Sequence, residues 1–160
     1  MSAMKNYSVL ILNGPNLRFV GQRDPGTYGS QAMETLVSIF EQKQPELAAR
    51  VNWTYFQANG EGELIDELER AWQAGVQGLI INPGAYTHTS LALADCLAWI
   101  GIPCVEVHLS NVWGREEIRR RSLTAAHSLG MIAGFGIMSY VLGMEALVWH
   151  LDRTQTGESS

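Results

Sequence analysis

Short apolar runs alternate along this chain with longer stretches in which apolar residues recur every three or four positions. Runs rich in β-branched and aliphatic residues, bounded by Gly, Pro or Asn, predict strands at Ser8–Asn13, Val51–Gln57, Gly78–Asn82, Cys104–Leu109 and Met131–Gly136. Helical spacing predicts an inward face made by Met33, Leu36, Val37 and Phe40 in the first helix and by Leu64, Leu68, Ala71 and Trp72 in the second. Tyr140, Met144, Leu147 and Leu151 repeat the spacing in the last helix. Strands alternating with helices predict a parallel sheet covered on both faces. The fold class expected is therefore α/β, a flavodoxin-like three-layer fold with strand order 2-1-3-4-5, which takes ligands beyond the carboxyl ends of its strands.

Composition narrows this picture. At 160 residues the chain suits a single domain, expected over residues 1–151. Residues 152–160 lack the apolar groups that offset ordering entropy, so a loose tail is expected there. The net charge of −5 argues against a surface dedicated to nucleic acid, so any anion must be bound locally. Cys96 and Cys104 fall in apolar segments without disulfide or metal spacing, which suits a reducing, cytoplasmic setting. With no apolar signal core and no apolar run near the ~20 residues that span a bilayer, neither export nor membrane insertion is expected.

The residues with chemical potential cluster just after the apolar runs: Asn13 and Asn16 after the first, Asn82 and His88 after the third, Glu106 and His108 closing the fourth. The long connection from Gly14 to Gly29 holds Arg23 and Tyr28 and reads either as a Gly/Pro-rich turn or as a functional lid. Neither a Walker pattern nor Gly-x-Gly-x-x-Gly is present, so a nucleotide loop is not supported. In Asn82–Ser90 a tight turn leads into a helix with Thr87 as candidate N-cap, a place either for simple capping or for holding a carboxylate or hydroxyl. Glu106 and His108 share one strand face while Val105, Val107 and Leu109 share the other. A buried carboxylate must meet an arginine or orient an imidazole, and the imidazole of His108 is favoured. Arg115, Arg119, Arg120 and Arg121 are expected on a helix, with Arg115 and Arg119 on one face and one of them a candidate anion clamp. His127 and His150 receive no role, and no metal site is evident.

In order and over nearly the whole chain, these segments closely resemble the type II 3-dehydroquinate dehydratases. The stretches that carry the likeness are Asn13–Leu17 with Gly21–Gly29, Glu61–Asp66, Asn82–Ser90 with Ala92–Asp95, Glu106–Asn111 with Arg115 and Glu116, and Gly134–Gly136. The resemblance implies a hydro-lyase that converts 3-dehydroquinate to 3-dehydroshikimate by anti elimination through an enolate, without cofactor. It implies Tyr28 as base, Arg23 on a lid lowering its pKa, His108 as general acid positioned by Glu106, and Asn16 holding the water that stabilises the enolate. It further implies that Asn82, His88, Ser110 and Arg119, with the amides of Leu109 and Ser110, bind the substrate, and that Asp95 reaches in from a neighbouring subunit of a dodecamer built from trimers. The sequence departs from the family pattern at Arg18, Asp24, Gly60, Ala94, Trp113 and Gly114, which bears on lid and subunit contacts more than on chemistry. A flavin or nucleotide module on the same fold is the competing binding-class reading, and an inactive subunit, suggested by Trp113 and Gly114, is a third.

Overall fold

The computed structural model describes residues 6–18 and 35–157. Its elements follow one another as β1 (Tyr7–Asn13), α1 (Leu36–Lys43), α2 (Pro45–Ala48), β2 (Val51–Gln57), α3 (Glu61–Gln73), β3 (Gly78–Asn82), α4 (Leu91–Ile100), β4 (Cys104–His108), β5 (Gly130–Ala133) and α5 (Met138–Thr156). The strands form one sheet in the order β2-β1-β3-β4-β5, with every neighbouring pair parallel. This is the flavodoxin-like arrangement expected from the alternation of strands and helices.

The pleat sorts the core into two layers. Tyr7, Val9 and Ile11 of β1 join Ile80, Val105 and Val107 under α1 and α5, whereas Leu10 and Leu12 join Leu79, Ile81 and Cys104 under α3 and α4. Both faces of a doubly covered strand are thus largely apolar, and β3 is buried at every position. Gly143 lets α5 lie close on the sheet, since a Cβ there would stand 2.8 Å from Val107 Cγ1.

Several expectations are corrected. The fifth strand stops at Ala133 because Gly134 (φ 97°) and Gly136 (φ 56°) turn the chain through conformations that favour glycine. Val37 and Trp72 are exposed, each sitting about 100° around its helix from a buried neighbour, Leu36 or Ala71. The helix expected to carry Arg115–Arg121 is replaced by short 3-10 turns at Val112–Gly114, Glu117–Arg120 and Ala125–His127. That segment has no inward apolar stripe to bury, and its Ile118 is exposed. The loose tail expected from Asp152 is instead helix through Thr156. Tyr7 Oη donates to Asp152 Oδ1 at 2.7 Å and Arg50 pairs with the same oxygen, which ties the last turns of α5 to the amino ends of β1 and β2. Met33, Arg23, Asp24 and Tyr28 lie outside the described residues. Among the described residues no helix is long and apolar enough to cross a membrane.

Candidate active site

The loops leaving the carboxyl ends of β1, β3 and β4 converge on one cleft. The first two meet backbone to backbone: Gly14 N–H donates to the Asn82 carbonyl at 2.8 Å, and a Cβ on Gly14 would fall 2.3 Å from the Pro83 oxygen. Asn16 then takes a left-handed conformation (φ 66°), which Asn tolerates better than most residues, and its N–H donates to Asn59 Oδ1 at 3.1 Å. Gln57 Nε2 donates to the Gly14 carbonyl at 3.1 Å and holds the turn from the β2 side.

The cleft has a volume of about 170 Å³ and is lined by Asn16, Asn82, His88, His108, Leu109, Ser110 and Arg119, all singled out from the sequence. Arg115, Val112 and the Pro15 and Gly84 turns complete the wall. Among the described residues no carboxylate lines it, so that surface is cationic and neutral polar, suited to an oxygen-rich anion. Glu106 stands behind His108, fully buried. Asp95 is exposed on α4 and does not line the cleft of its own chain.

Hydrogen bonding fixes what each group can offer. His88 Nδ1 lies 2.6 Å from the Arg121 carbonyl, an acceptor only, so Nδ1 carries the proton and Nε2 of the neutral ring is the acceptor. His108 Nε2 lies 2.7 Å from Glu106 Oε1, which leaves Nδ1 as the ring nitrogen available to the cleft. Thr124 Oγ1 donates to Glu106 Oε2 at 2.6 Å, and Ser122 Oγ donates to the carboxyl at 3.0 and 3.1 Å. Three donors converging on one carboxyl match an ionised, acceptor-only group. They also explain how Glu106 is buried without an arginine.

Asn82 is held through its whole amide. Its Nδ2 donates to Tyr140 Oη at 3.0 Å, and its Oδ1 accepts from Gly84 N–H at 3.2 Å. Tyr140 Oη passes the chain on to Asn13 Oδ1 at 2.7 Å, and burial pushes the phenol above its ordinary pKa. At the rim, Glu116 receives Arg119 Nε at 3.0 Å and Arg115 Nε at 3.8 Å. Its carboxyl lies below the ordinary value, first through its own backbone amide and then through these arginines. The two arginines share the cleft wall despite the missing helix, because the 3-10 turns fold them back over β4.

Thr87 is not the N-cap of the following helix. It lies in a 3-10 turn, Gly84–His88, and Ser90 Oγ caps α4 by accepting from Leu93 N–H at 2.9 Å. Residues that sequence reasoning passed over are Ser122, Thr124 and Tyr140. The first two lie 16 and 18 residues beyond Glu106 and carry no periodic signal, whereas Tyr140 was read only as an apolar contact. Among the described residues no group of three or more His, Cys, Asp or Glu could hold a metal ion.

Residues 7–148 match the family described as Dehydroquinase class II. A 3-dehydroquinate dehydratase of Acaryochloris marina is 46% identical over 157 residues, covering 96% of this chain and all of that one. One from Caldicellulosiruptor saccharolyticus is 45% identical over 139 residues, covering 87% of this chain and 94% of the relative. Among solved structures, the type II dehydroquinase of Butyrivibrio crossotus superposes with a TM-score of 0.82 at 38% identity, covering 89% of this chain and 98% of that one.

Proposed function

The chain belongs to the class II dehydroquinase family, and from that premise we propose that it dehydrates 3-dehydroquinate to 3-dehydroshikimate with its own side chains as acid and base. The observation that carries the proposal is the His108–Glu106 pair, 2.7 Å apart at the floor of a cleft whose wall includes Arg119 and His88.

The reaction removes a proton from C2 and a hydroxyl from C1, on opposite faces of the ring, to form a conjugated enone and water. Tyr28 takes the C2 proton as phenolate. A phenol of ordinary pKa about 10 needs ~4 kcal/mol of differential stabilisation to be half ionised at pH 7. A guanidinium brought to ~4 Å, the part the resemblance gives Arg23, would supply a comparable amount at an effective dielectric of about 20. Charge passes to the C3 oxygen as an enolate, stabilised by a water held on Asn16. His108 then gives the proton of its cleft-facing nitrogen to the departing C1 hydroxyl, and Glu106 balances the imidazolium from behind. Each proton taken by the base is matched by one released with water, so the elimination is balanced without oxidant or cofactor.

Arg119 clamps the carboxylate, with the amides of Leu109 and Ser110 assisting, while Ser110, Asn82 and His88 hold the ring hydroxyls. The Nε2 acceptor of His88, set by the Arg121 carbonyl, suits a hydroxyl donor. Asp95 completes a neighbouring subunit's site in an assembly built from trimers, in keeping with its exposure on α4 away from its own cleft. The buried, unpaired thiols of Cys96 and Cys104 suit a cytoplasmic protein.

The test is the appearance of the enone's ultraviolet absorbance when purified protein meets 3-dehydroquinate without added metal or nucleotide. Turnover by wild type and its loss in folded Tyr28→Phe are expected. No turnover by folded wild type refutes the activity, and a full rate in Tyr28→Phe refutes the base. Light scattering that returns a monomer at working concentration refutes the assembly.

A further inference from the structure

Glu106 is fully buried on β4 and, among the described residues, has no lysine or arginine as a hydrogen-bond partner. Its charge is instead met by one imidazole and two hydroxyls, and both hydroxyls come from the short stretch between the 3-10 turns Glu117–Arg120 and Ala125–His127. The Thr124 contact, at 2.6 Å, lies in the range of hydroxyls donating to an ionised carboxylate. Thr124 is itself fully buried, and Ser122 Oγ is oriented by accepting from Ala125 N–H at 2.9 Å. The stretch is anchored on the other side of the site as well: Leu123 N–H donates to the Thr87 carbonyl at 2.8 Å, and the Arg121 carbonyl fixes His88.

We propose that Ser122 and Thr124 are positioning residues for the elimination, acting through Glu106 to fix the orientation and proton state of His108, and that residues 121–124 couple this dyad to His88. The inference rests on the reading of His108 as the general acid. Each hydroxyl proton is spent on Glu106, so neither carboxylate oxygen is free to swing away from the His108 ring. With a donor missing, the carboxylate's grip on Nε2 loosens in geometry, which misaligns the acid without touching substrate. Cys104, the preceding residue on the same strand face, feels the Glu106 charge in addition to the burial that pushes its thiol up to about 12, so it stays a neutral neighbour across the working range.

Thr124→Val keeps the shape and removes the donor, Thr124→Ser keeps the donor, and Ser122→Ala removes the second one. In steady-state dehydration of 3-dehydroquinate, Thr124→Val and Ser122→Ala are expected to lower kcat by about ten- to a hundredfold. KM stays within about twofold, because the lost contact acts on the chemical step. The pH profile of kcat is displaced from that of wild type, and Thr124→Ser retains most of the wild-type rate. Unchanged kcat and pH limbs in the folded Val and Ala variants overturn the proposal, as does an equal loss in Thr124→Val and Thr124→Ser, which marks a packing role. If Thr124→Val does not fold, the imidazole N–H resonance of His108 in Ser122→Ala and Thr124→Ser decides. A resonance displaced in Ser122→Ala and preserved in Thr124→Ser supports the hydroxyl contacts, and one unmoved in Ser122→Ala overturns them. Full turnover by His108→Ala would remove the general-acid reading, whereas the resonance tests the hydroxyls independently of turnover.

Discussion

Removing one oxygen from the core, in Tyr140→Phe, tests how the last helix supports the site. Tyr140 is 1% exposed, and its hydroxyl both accepts from Asn82 Nδ2 and donates to Asn13 Oδ1. Asn13 is fully buried and Asn82 nearly so, and Asn13 Nδ2 has no partner among the described residues, so turning the Asn13 amide over cannot repair the loss. Two buried polar groups are left unsatisfied at about 1–3 kcal/mol each, or about 2–6 kcal/mol in all. For a chain of this size that corresponds to a fall in Tm of roughly 4–24 °C. Asn82 keeps its bond from Gly84 N–H but loses the other anchor of its amide, so KM for 3-dehydroquinate should rise more than kcat falls. Thermal melts and urea titrations at one fixed protein concentration measure the first effect, since the proposed assembly would make Tm depend on concentration. Steady-state kinetics measure the second. Asn13→Leu in the Tyr140→Phe background should recover part of the stability, because it removes a stranded polar group. A Tyr140→Phe protein that melts with wild type and keeps its KM would refute the view that this hydroxyl links α5 to the cleft.

Alkaline pH should destabilise the fold in a defined window. Burial, then Asp152, pushes the Tyr7 phenol from 10.0 up to about 12, and burial pushes the Cys104 thiol from 9.0 up to about 12. Both pKa values are raised, so their stabilisation is complete below the unfolded values and is lost as pH rises from about 9 to 12; Tyr7 alone accounts for about 2–3 kcal/mol. Urea midpoints should fall steadily over that range and fall less steeply in Asp152→Asn, and midpoints that stay level to pH 11.5 would contradict the shifts. Gly14→Ala should cost several-fold in kcat/KM as well as stability, since its Cβ would fall 2.3 Å from the Pro83 carbonyl oxygen and force the two cleft loops apart. A fully active, equally stable Gly14→Ala protein would show that this backbone contact does not set the cleft.

Local pattern in the sequence pointed to the layer arrangement, the strand order and the end of the sheet that holds the candidate site. Period-two and period-3.6 patterns report which side of an element is buried, and Glu106 with His108 on one strand face stands out because an apolar strand rarely carries both. The same reasoning misplaced what depends on partners distant in sequence. An arginine-rich stretch reads as helix from spacing alone, yet without an apolar stripe it folds as 3-10 turns around contacts to Thr87 and Glu106. Asp152 looks like the start of a polar tail until Tyr7 and Arg50, more than a hundred positions earlier, bring their donors to it. Which helix start Ser90 or Thr87 caps is equally a matter of where the turn before it is pinned. What only the tertiary structure decided is how each buried polar group finds its hydrogen-bond partners. Burial makes an unpaired donor or acceptor expensive, and apart from His108 on Glu106 and Gly84 on Asn82, the partners that satisfy Glu106, Asn82 and Asp152 arrive from segments whose own sequence gives no sign of them.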